Sequence, residues 1–133
     1  MKTLVVSGKR KRAVARATIR KGDGKVTING VSLSEWSPEM SRVKIREPLT
    51  LAGDAASGVS IDVRVHGGGF SSQADAARLA VAKALVGFSK SERLKEKFLK
   101  YDRHLLVADV RRKEPAKPNR HGSARAKRQK SYR

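Results

Sequence analysis

The chain has 133 residues, no cysteine and a formal net charge of +19 at pH 7. Its length predicts a single domain with a modest core, and the lack of cysteine excludes disulfides and thiolate metal sites. No apolar run approaches the roughly 20 residues that a membrane-spanning helix needs, and no signal-peptide core follows the N-terminus. We therefore expect a cytoplasmic protein without a membrane partner.

The positive charge is concentrated at the two ends of the chain. Residues 1–21 carry +8 and residues 111–133 carry +9, whereas residues 22–110 carry only +2. Such asymmetry is typical of proteins that bind nucleic acid or an anionic surface. We therefore divide the chain into a globular domain over residues 1–110 and a basic tail over residues 111–133.

An alternating pattern follows the β-prone residues 4–6 and extends from position 10 to position 20. Period two predicts a strand with small apolar residues on the inner face. These are Ala13, Ala15, Ala17 and Ile19. The outer face carries Arg10, Arg12, Arg16 and Arg20. A solvated strand face is one interpretation, but a row of like charges without a carboxylate is destabilising unless something neutralises it. We interpret the row as a phosphate-contacting surface.

Turn signals divide the next part of the chain. A turn at residues 21–24 followed by apolar residues 26–28 predicts a hairpin over residues 12–28. Residues 29–30, Asn-Gly, predict a second tight turn. Trp36 is expected in the core or at its edge rather than as a platform for stacked bases.

Two prolines bracket the next predicted helix. It covers residues 38–47, with Pro38 at its start and Pro48 at its end. Residues 49–52 predict another short apolar segment, and residues 54–58 predict a polar loop.

The clearest strand in the sequence alternates over residues 59–66 and leads through glycines 67–69 into a helix. Ser72 and Asp75 resemble a capping box at the start of that helix. Its buried face is predicted from apolar residues at helical spacing. They are Ala74, Ala77, Val81, Ala84, Leu85 and Phe88.

The free backbone N–H groups at this strand–helix junction suit an anion. The stretch GGGFSSQA resembles the phosphate-binding loop of the galactokinase and homoserine kinase superfamily. However, the chain is too short for the two lobes of such kinases, and no base or metal-binding carboxylate set accompanies the loop. Three interpretations stay open: a glycine-rich helix start without a ligand, an RNA phosphate site and a nucleotide site.

The last predicted elements before the tail are an amphipathic helix and a buried strand. Ser89 and Glu92 predict the cap of the helix, and residues 105–110 read as the strand. The three histidines of the chain are too scattered to indicate a metal site. We find no catalytic constellation and expect no cofactor.

The tail has almost nothing to bury. It contains ten Lys and Arg residues against one acidic residue, Glu114, and no Val, Ile, Leu, Met, Phe or Trp. Such a segment cannot offset the entropy of ordering its backbone, and like charges extend it. Six of its ten cations are arginines, which suit forked contacts with phosphate. We expect a bound polyanion to shape the tail; the alternative is a solvated terminus.

Three separated stretches resemble one family. They are GKRKRAVARA near the start, GGGFSSQADAARLAVAKAL in the middle and ADVRRKEPAKPNRHGSARAKRQKSYR at the end. Together they resemble the universal family of small-subunit ribosomal protein nine over essentially the whole chain. The ending SYR and the run RRKEPAKPNRHG resemble the archaeal and eukaryotic form, since bacterial members typically have lysine where this chain has Tyr132.

The resemblance implies an α+β fold: a mixed four-stranded sheet with helices packed on it, similar to the second domain of small-subunit ribosomal protein five, plus an extended basic C-terminal tail. It implies a structural, non-enzymatic constituent of the small-subunit head. Its partners would be small-subunit ribosomal RNA, P-site transfer RNA and other head proteins. The implied transfer RNA contacts are Arg133, Lys130 and Arg128. The expected ribosomal RNA contacts are Arg10, Arg12, Arg16, Arg111, Arg112, Lys113, Lys117, Arg120, Arg125 and Lys127.

Two other functions stay open from the sequence. A free-standing architectural protein could bind DNA or RNA by charge alone. A small kinase-like enzyme is the more distant alternative.

Overall fold

The structure, a computed structural model, describes residues 3–36, 39–119 and 124. Its centre is a five-stranded mixed sheet with the strand order β1-β2-β5-β3-β4. The strands are β1 (Thr3–Arg10), β2 (Ala13–Lys21), β3 (Val26–Ile28), β4 (Val31–Ser32) and β5 (Val59–His66). Neighbouring strands are antiparallel except β3 and β5, which are parallel. The prediction of four strands is wrong by one, because the short hairpin of β3 and β4 adds an edge strand.

Four helices accompany the sheet in the described part of the chain. They are α1 (Glu39–Ala52), α2 (Asp54–Ser57), α3 (Phe70–Ser89) and α4 (Glu92–Tyr101), and 3₁₀ turns cover Leu33–Glu35 and Arg103–Leu105. Helix α3 packs on β1, β2 and β5, and α1 packs against α3. The predicted α+β class, with a mixed sheet and helices packed on it, is confirmed.

The alternating pattern around position 10 is divided between two strands. β1 pairs with β2 along its whole length, and the turn between them contains Lys11, whose φ is 53°. The predicted inner face of β2 is confirmed, since Ala13, Ala15, Ala17 and Ile19 are fully buried. The prediction of one continuous arginine row is wrong. Arg10 ends β1, Arg12 lies in the turn, and Arg16 and Arg20 lie on β2.

The predicted hairpin over residues 12–28 is also wrong, because β3 does not return along β2. It lies on the far side of β5 and pairs with that strand in parallel. The side chain of Asn29 continues this pairing: its Nδ2 donates to the carbonyl of Val65 at 3.1 Å, and its Oδ1 accepts from the amide of Val65 at 2.9 Å. The second predicted turn, Asn29-Gly30, is confirmed as the connection between β3 and β4.

Pro48 lies inside α1 rather than at its end. Its side chain is buried, and residues 49–52, predicted as a separate segment, form the last turn of the same helix. Packing of this turn against the core outweighs the local preference of proline for a helix boundary. Residues 54–58, predicted as a loop, contain α2, and Pro38 lies outside the described residues.

Helix α3 begins three residues earlier than the sequence suggested, since its N-cap is Gly69 instead of Ser72. It starts at Phe70 after Gly69, without a side-chain cap, so Ser72 lies within the helix and the predicted capping box is wrong. The predicted inner face is confirmed for Ala74, Ala77, Val81, Ala84 and Leu85, which are buried, whereas Phe88 is half-buried. Trp36 is half-buried against the core, as predicted.

The region before the tail differs from its prediction in two ways. Helix α4 is capped by Ser91 instead of Ser89, and the Ser91 hydroxyl accepts a hydrogen bond from the amide of Leu94 at 3.3 Å. No strand forms over residues 105–110, where a 3₁₀ turn is followed by irregular chain. In that stretch Leu105 is buried and Leu106 is half-buried against the core, so these two leucines pack without forming a strand.

Candidate nucleic-acid interface

The face of the sheet opposite the helices is not covered by any element of the described chain. Side chains of β1, β2 and β5 alternate between the two faces, and those that point away from the helices are exposed or half-buried. We call this surface the open face. It consists of Thr3, Val5, Ser7, Lys9, Val14, Arg16, Thr18, Arg20, Ser60, Asp62, Arg64 and His66. Apart from Val5 and Val14 the set is polar or charged, and it includes no Phe, Tyr or Trp.

The densest charge on the open face is a pair of arginines. Arg16 of β2 lies directly opposite Arg64 of β5. Residues opposite each other in an antiparallel pair have Cβ atoms about 5 Å apart, so two like charges there repel. Neither side chain makes a hydrogen bond or ion pair within the described residues. The one carboxylate on the face, Asp62, accepts a hydrogen bond from the Thr27 hydroxyl at 3.0 Å.

The first three predicted RNA contacts do not share one surface. Arg16 is exposed on the open face, and Arg12 is exposed in the adjoining turn. Arg10 instead points to the side covered by the helices, where its guanidinium lies 3.9 Å from Asp75 and 3.6 Å from Asp109. The Arg10 side chain is only 16% exposed, so it is held between carboxylates rather than displayed.

Sequence reasoning placed Arg20 on this surface together with Arg16 but missed Lys9 and Arg64. The alternation of residues 59–66 places Arg64 on the face opposite the buried valines, which is a visible signal. What the sequence could not show is that β5 lies beside β2, because that pairing joins distant segments of the chain.

Asp109 fixes the beginning of the tail. It accepts hydrogen bonds from the Arg111 side chain, with Nη2 at 2.7 Å and Nε at 3.0 Å, and from the Arg111 amide at 3.1 Å. The Arg111 guanidinium and amide, with a smaller contribution from Arg10, hold the pKa of Asp109 well below its usual range. The same contact raises the pKa of Arg111. We call residues 109–111 the tail root.

The predicted tail cations lie mostly beyond the described chain. Arg112, Lys113 and Lys117 are exposed and belong to a stretch without helix or strand. The remaining ones lie outside the described residues: Arg120, Arg125, Lys127, Arg128, Lys130 and Arg133.

A second ion network lies on the helical side and is structural. Arg78 of α3 donates from Nη2 to Glu47 at 2.6 Å and to Asp102 at 3.2 Å. Its side chain is 13% exposed, and it ties α1 to the segment after α4. Burial alone would raise the pKa of Asp102, but the amide of His104 and the Arg78 guanidinium outweigh it and lower that pKa.

A cleft of about 160 Å³ lies between these networks, next to Arg10, Arg78, Asp109 and Arg111. Along it Arg10 pairs with Asp75 and Asp109, and Arg111 pairs with Asp109. No described cluster of three or more His, Cys, Asp or Glu residues could hold a metal ion. The described helices also include none with the length and apolar character needed to cross a membrane.

The glycine run at the start of α3 has a packing explanation. Gly67 has a φ of 78°, and a Cβ there would lie 2.6 Å from the carbonyl oxygen of Arg12. A larger residue would therefore be strained and would collide with the β1–β2 turn. This contact accounts for the glycine without a ligand, and the RNA phosphate at this junction stays a prediction.

An α+β domain with an uncovered cationic sheet face and a basic tail has the features of a nucleic-acid-binding protein. A sequence profile of the family described as ribosomal protein S9/S16 matches residues 8–133. Three relatives named small ribosomal subunit protein uS9, from Methanococcus maripaludis strains C7, C5 and S2, are each 51% identical over 134 aligned residues, covering 100% of both chains. The chain therefore belongs to the ribosomal protein S9/S16 family. This is not a family of enzymes, so the expectations of a ribosomal protein and of no enzymatic role are confirmed.

Proposed function

We propose that the chain is a structural constituent of the small ribosomal subunit, where it binds small-subunit ribosomal RNA in the head and reaches P-site transfer RNA with its tail. The observation that carries the proposal is the end-to-end match to small-subunit relatives. Residues 1–110 serve as the RNA-binding domain, and residues 111–133 serve as the extended tail. Other proteins of the head are its neighbours.

Charge supports the contact between the domain and ribosomal RNA. Arg12 and Arg16 are exposed and free of carboxylate partners in the described chain, so their charge is available to phosphates. Arg10 points to the helical side, where it pairs with Asp109, so its contact with ribosomal RNA in this proposal would lie at that side. Binding through such groups releases counterions, so affinity falls steeply with salt and depends little on base sequence.

The tail supports the reach to transfer RNA. Its 23 residues can span on the order of 75 Å when extended, at about 3.3 Å per residue. The cations near its start and middle contact ribosomal RNA in this proposal: Arg111, Arg112, Lys113, Lys117, Arg120, Arg125 and Lys127. Arg133 contacts the transfer RNA, with Lys130 and Arg128 on nearby phosphates.

Sedimentation of a native lysate through sucrose tests the ribosomal assignment. We expect stoichiometric migration with the small subunit at low salt and after a moderate salt wash. A protein that spreads over all nucleic-acid fractions and is stripped early by salt would instead be a charge-driven architectural protein.

Truncation of the last three residues tests the tail tip separately. We expect weaker P-site transfer RNA binding and poorer frame maintenance in subunits that still assemble. The variant Ser131→Ala, which removes no charge, serves as the control. Normal P-site occupancy and frame maintenance after truncation would contradict the role of Arg133.

A further inference from the structure

The open face holds two neighbouring arginines that form no ion pair with any carboxylate of the described chain. Arg16 and Arg64 are direct cross-strand neighbours, both are exposed, and neither side chain has a hydrogen bond or ion pair among the described residues. By contrast, Arg10 and Arg111 meet at a carboxylate that they share, Asp109. An arrangement that is unfavourable in the free protein points to a ligand that makes it favourable.

We propose that Arg16 and Arg64 together bind one phosphate group of an RNA backbone on the open face. The inference rests on the proposed function and assigns Arg64, which the sequence did not single out. Two guanidinium groups on Cβ atoms about 5 Å apart can donate to the same phosphate, each through its forked N–H groups. Ser7 lies next to Arg16 in the same cross-strand row and adds a hydroxyl.

The chemistry of the surrounding face favours RNA over an acidic protein segment. The face offers no aromatic ring for stacking bases, and apart from Val5 and Val14 its side chains are polar or charged, so its contacts are expected mainly with charged groups. Arg20 lies four residues along β2 from Arg16, a distance of roughly 13 Å in a strand. It therefore cannot share the same phosphate and would contact another part of the same backbone.

The test compares RNA binding by full-length variants. Purified small-subunit ribosomal RNA is titrated with wild type, Arg16→Gln, Arg64→Gln and the double variant at several salt concentrations. The control is the double variant Arg93→Gln with Lys97→Gln, which removes the same formal charge from the exposed surface of α4. Thermal unfolding of each protein without RNA is measured in parallel.

We expect the double variant to lose roughly ten-fold in affinity, the scale of a hydrogen bond to a charged group. Because one phosphate is involved, the slope of log affinity against log salt should fall by about one, and each single variant should show most of that change. The α4 control should lose less affinity for RNA than the Arg16/Arg64 double variant. Without RNA, each single variant should have a slightly higher Tm than wild type at low salt, since the repulsion is relieved, and the gain should vanish at high salt.

Two outcomes would overturn the inference. Equal losses in the double variant and the α4 control would mean that only total charge matters. Normal RNA affinity combined with poor incorporation into the small subunit would assign the pair to an acidic protein neighbour. With either outcome, wild type still sediments with the small subunit if the proposed function is right. Failure of this inference can therefore be told apart from failure of the proposed function.

Discussion

The two faces of the sheet show how one alternating strand serves two purposes. On the covered face, β2 presents fully buried alanines and an isoleucine to α3. On the open face, the same strand presents Arg16 and Arg20 to solvent. The covered face stabilises the fold through close packing, whereas the open face carries unpaired charge that no described element neutralises.

Arg10 and Arg16, which belong to the same predicted row, differ in their surroundings. Arg10 lies on the covered side and meets Asp75 and Asp109. Arg16 lies on the open side and meets no carboxylate in the described chain. The number of cations in a segment therefore indicates a polyanionic partner, but the face on which each one lies indicates whether it is available for binding.

The largest loss of stability is expected for Arg78→Gln, on the helical side of the sheet. This change leaves Glu47 and Asp102 without their shared partner in a site where Arg78 is mostly buried. Breaking such a pair should lower the free energy of unfolding by about 3 kcal/mol. Urea denaturation measures the loss, with Arg20→Gln on the open face as the matched control, expected within about 0.5 kcal/mol of wild type. Equal losses of unfolding free energy in Arg78→Gln and Arg20→Gln would show that arginines on the two sides contribute equally to stability.

A smaller difference in stability is expected between variants of Gly8 and Ser7, two neighbouring residues of β1 that face opposite sides of the sheet. A Cβ at Gly8 would lie 2.5 Å from the carbonyl oxygen of Ala76 and 2.8 Å from the amide of Ala80, so Gly8→Ala must push α3 away. We expect a destabilisation of about 2 kcal/mol from this overpacking. Ser7→Ala, on the open face, should change stability by less than about 0.5 kcal/mol. Comparable denaturation midpoints for both variants would contradict the close approach of α3.

The same comparison explains which features were predictable from the sequence. The inner face of β2 and the alternation of β5 follow from period two, which is a property of a strand by itself. The partner of β3 does not, because it depends on the distant contact between Asn29 and Val65. Arg64 was missed as a neighbour of Arg16 for the same reason. Local pattern determines which side chains share a face, and only the pairing of strands determines which of them meet.

The tail root gives the smallest expected effect, and that effect depends on pH. Hydrogen bonds from Arg111 and the charge of Arg10 lower the folded-state pKa of Asp109. A lowered pKa means that the carboxylate stabilises the root fully above its ordinary pKa of about 4, and that this contribution is lost as the pH falls through the lower folded-state value. Because the Arg111 side chain is 79% exposed, the contribution is weak and sensitive to salt.

We therefore expect Asp109→Asn to loosen residues 109–111 at neutral pH without unfolding the domain. Limited proteolysis with a Lys/Arg-specific protease should cleave after Arg111 several-fold faster in this variant, while Glu96→Gln on α4 should leave the rate unchanged. The Arg111 amide should exchange faster in Asp109→Asn than in wild type at neutral pH. This difference in exchange rate should become smaller below about pH 4. Equal rates of cleavage after Arg111 in wild type and Asp109→Asn at neutral pH would mean that Asp109 does not restrain the tail. In that case the direction in which the tail leaves the domain would have to be set by the RNA partner that we propose for it.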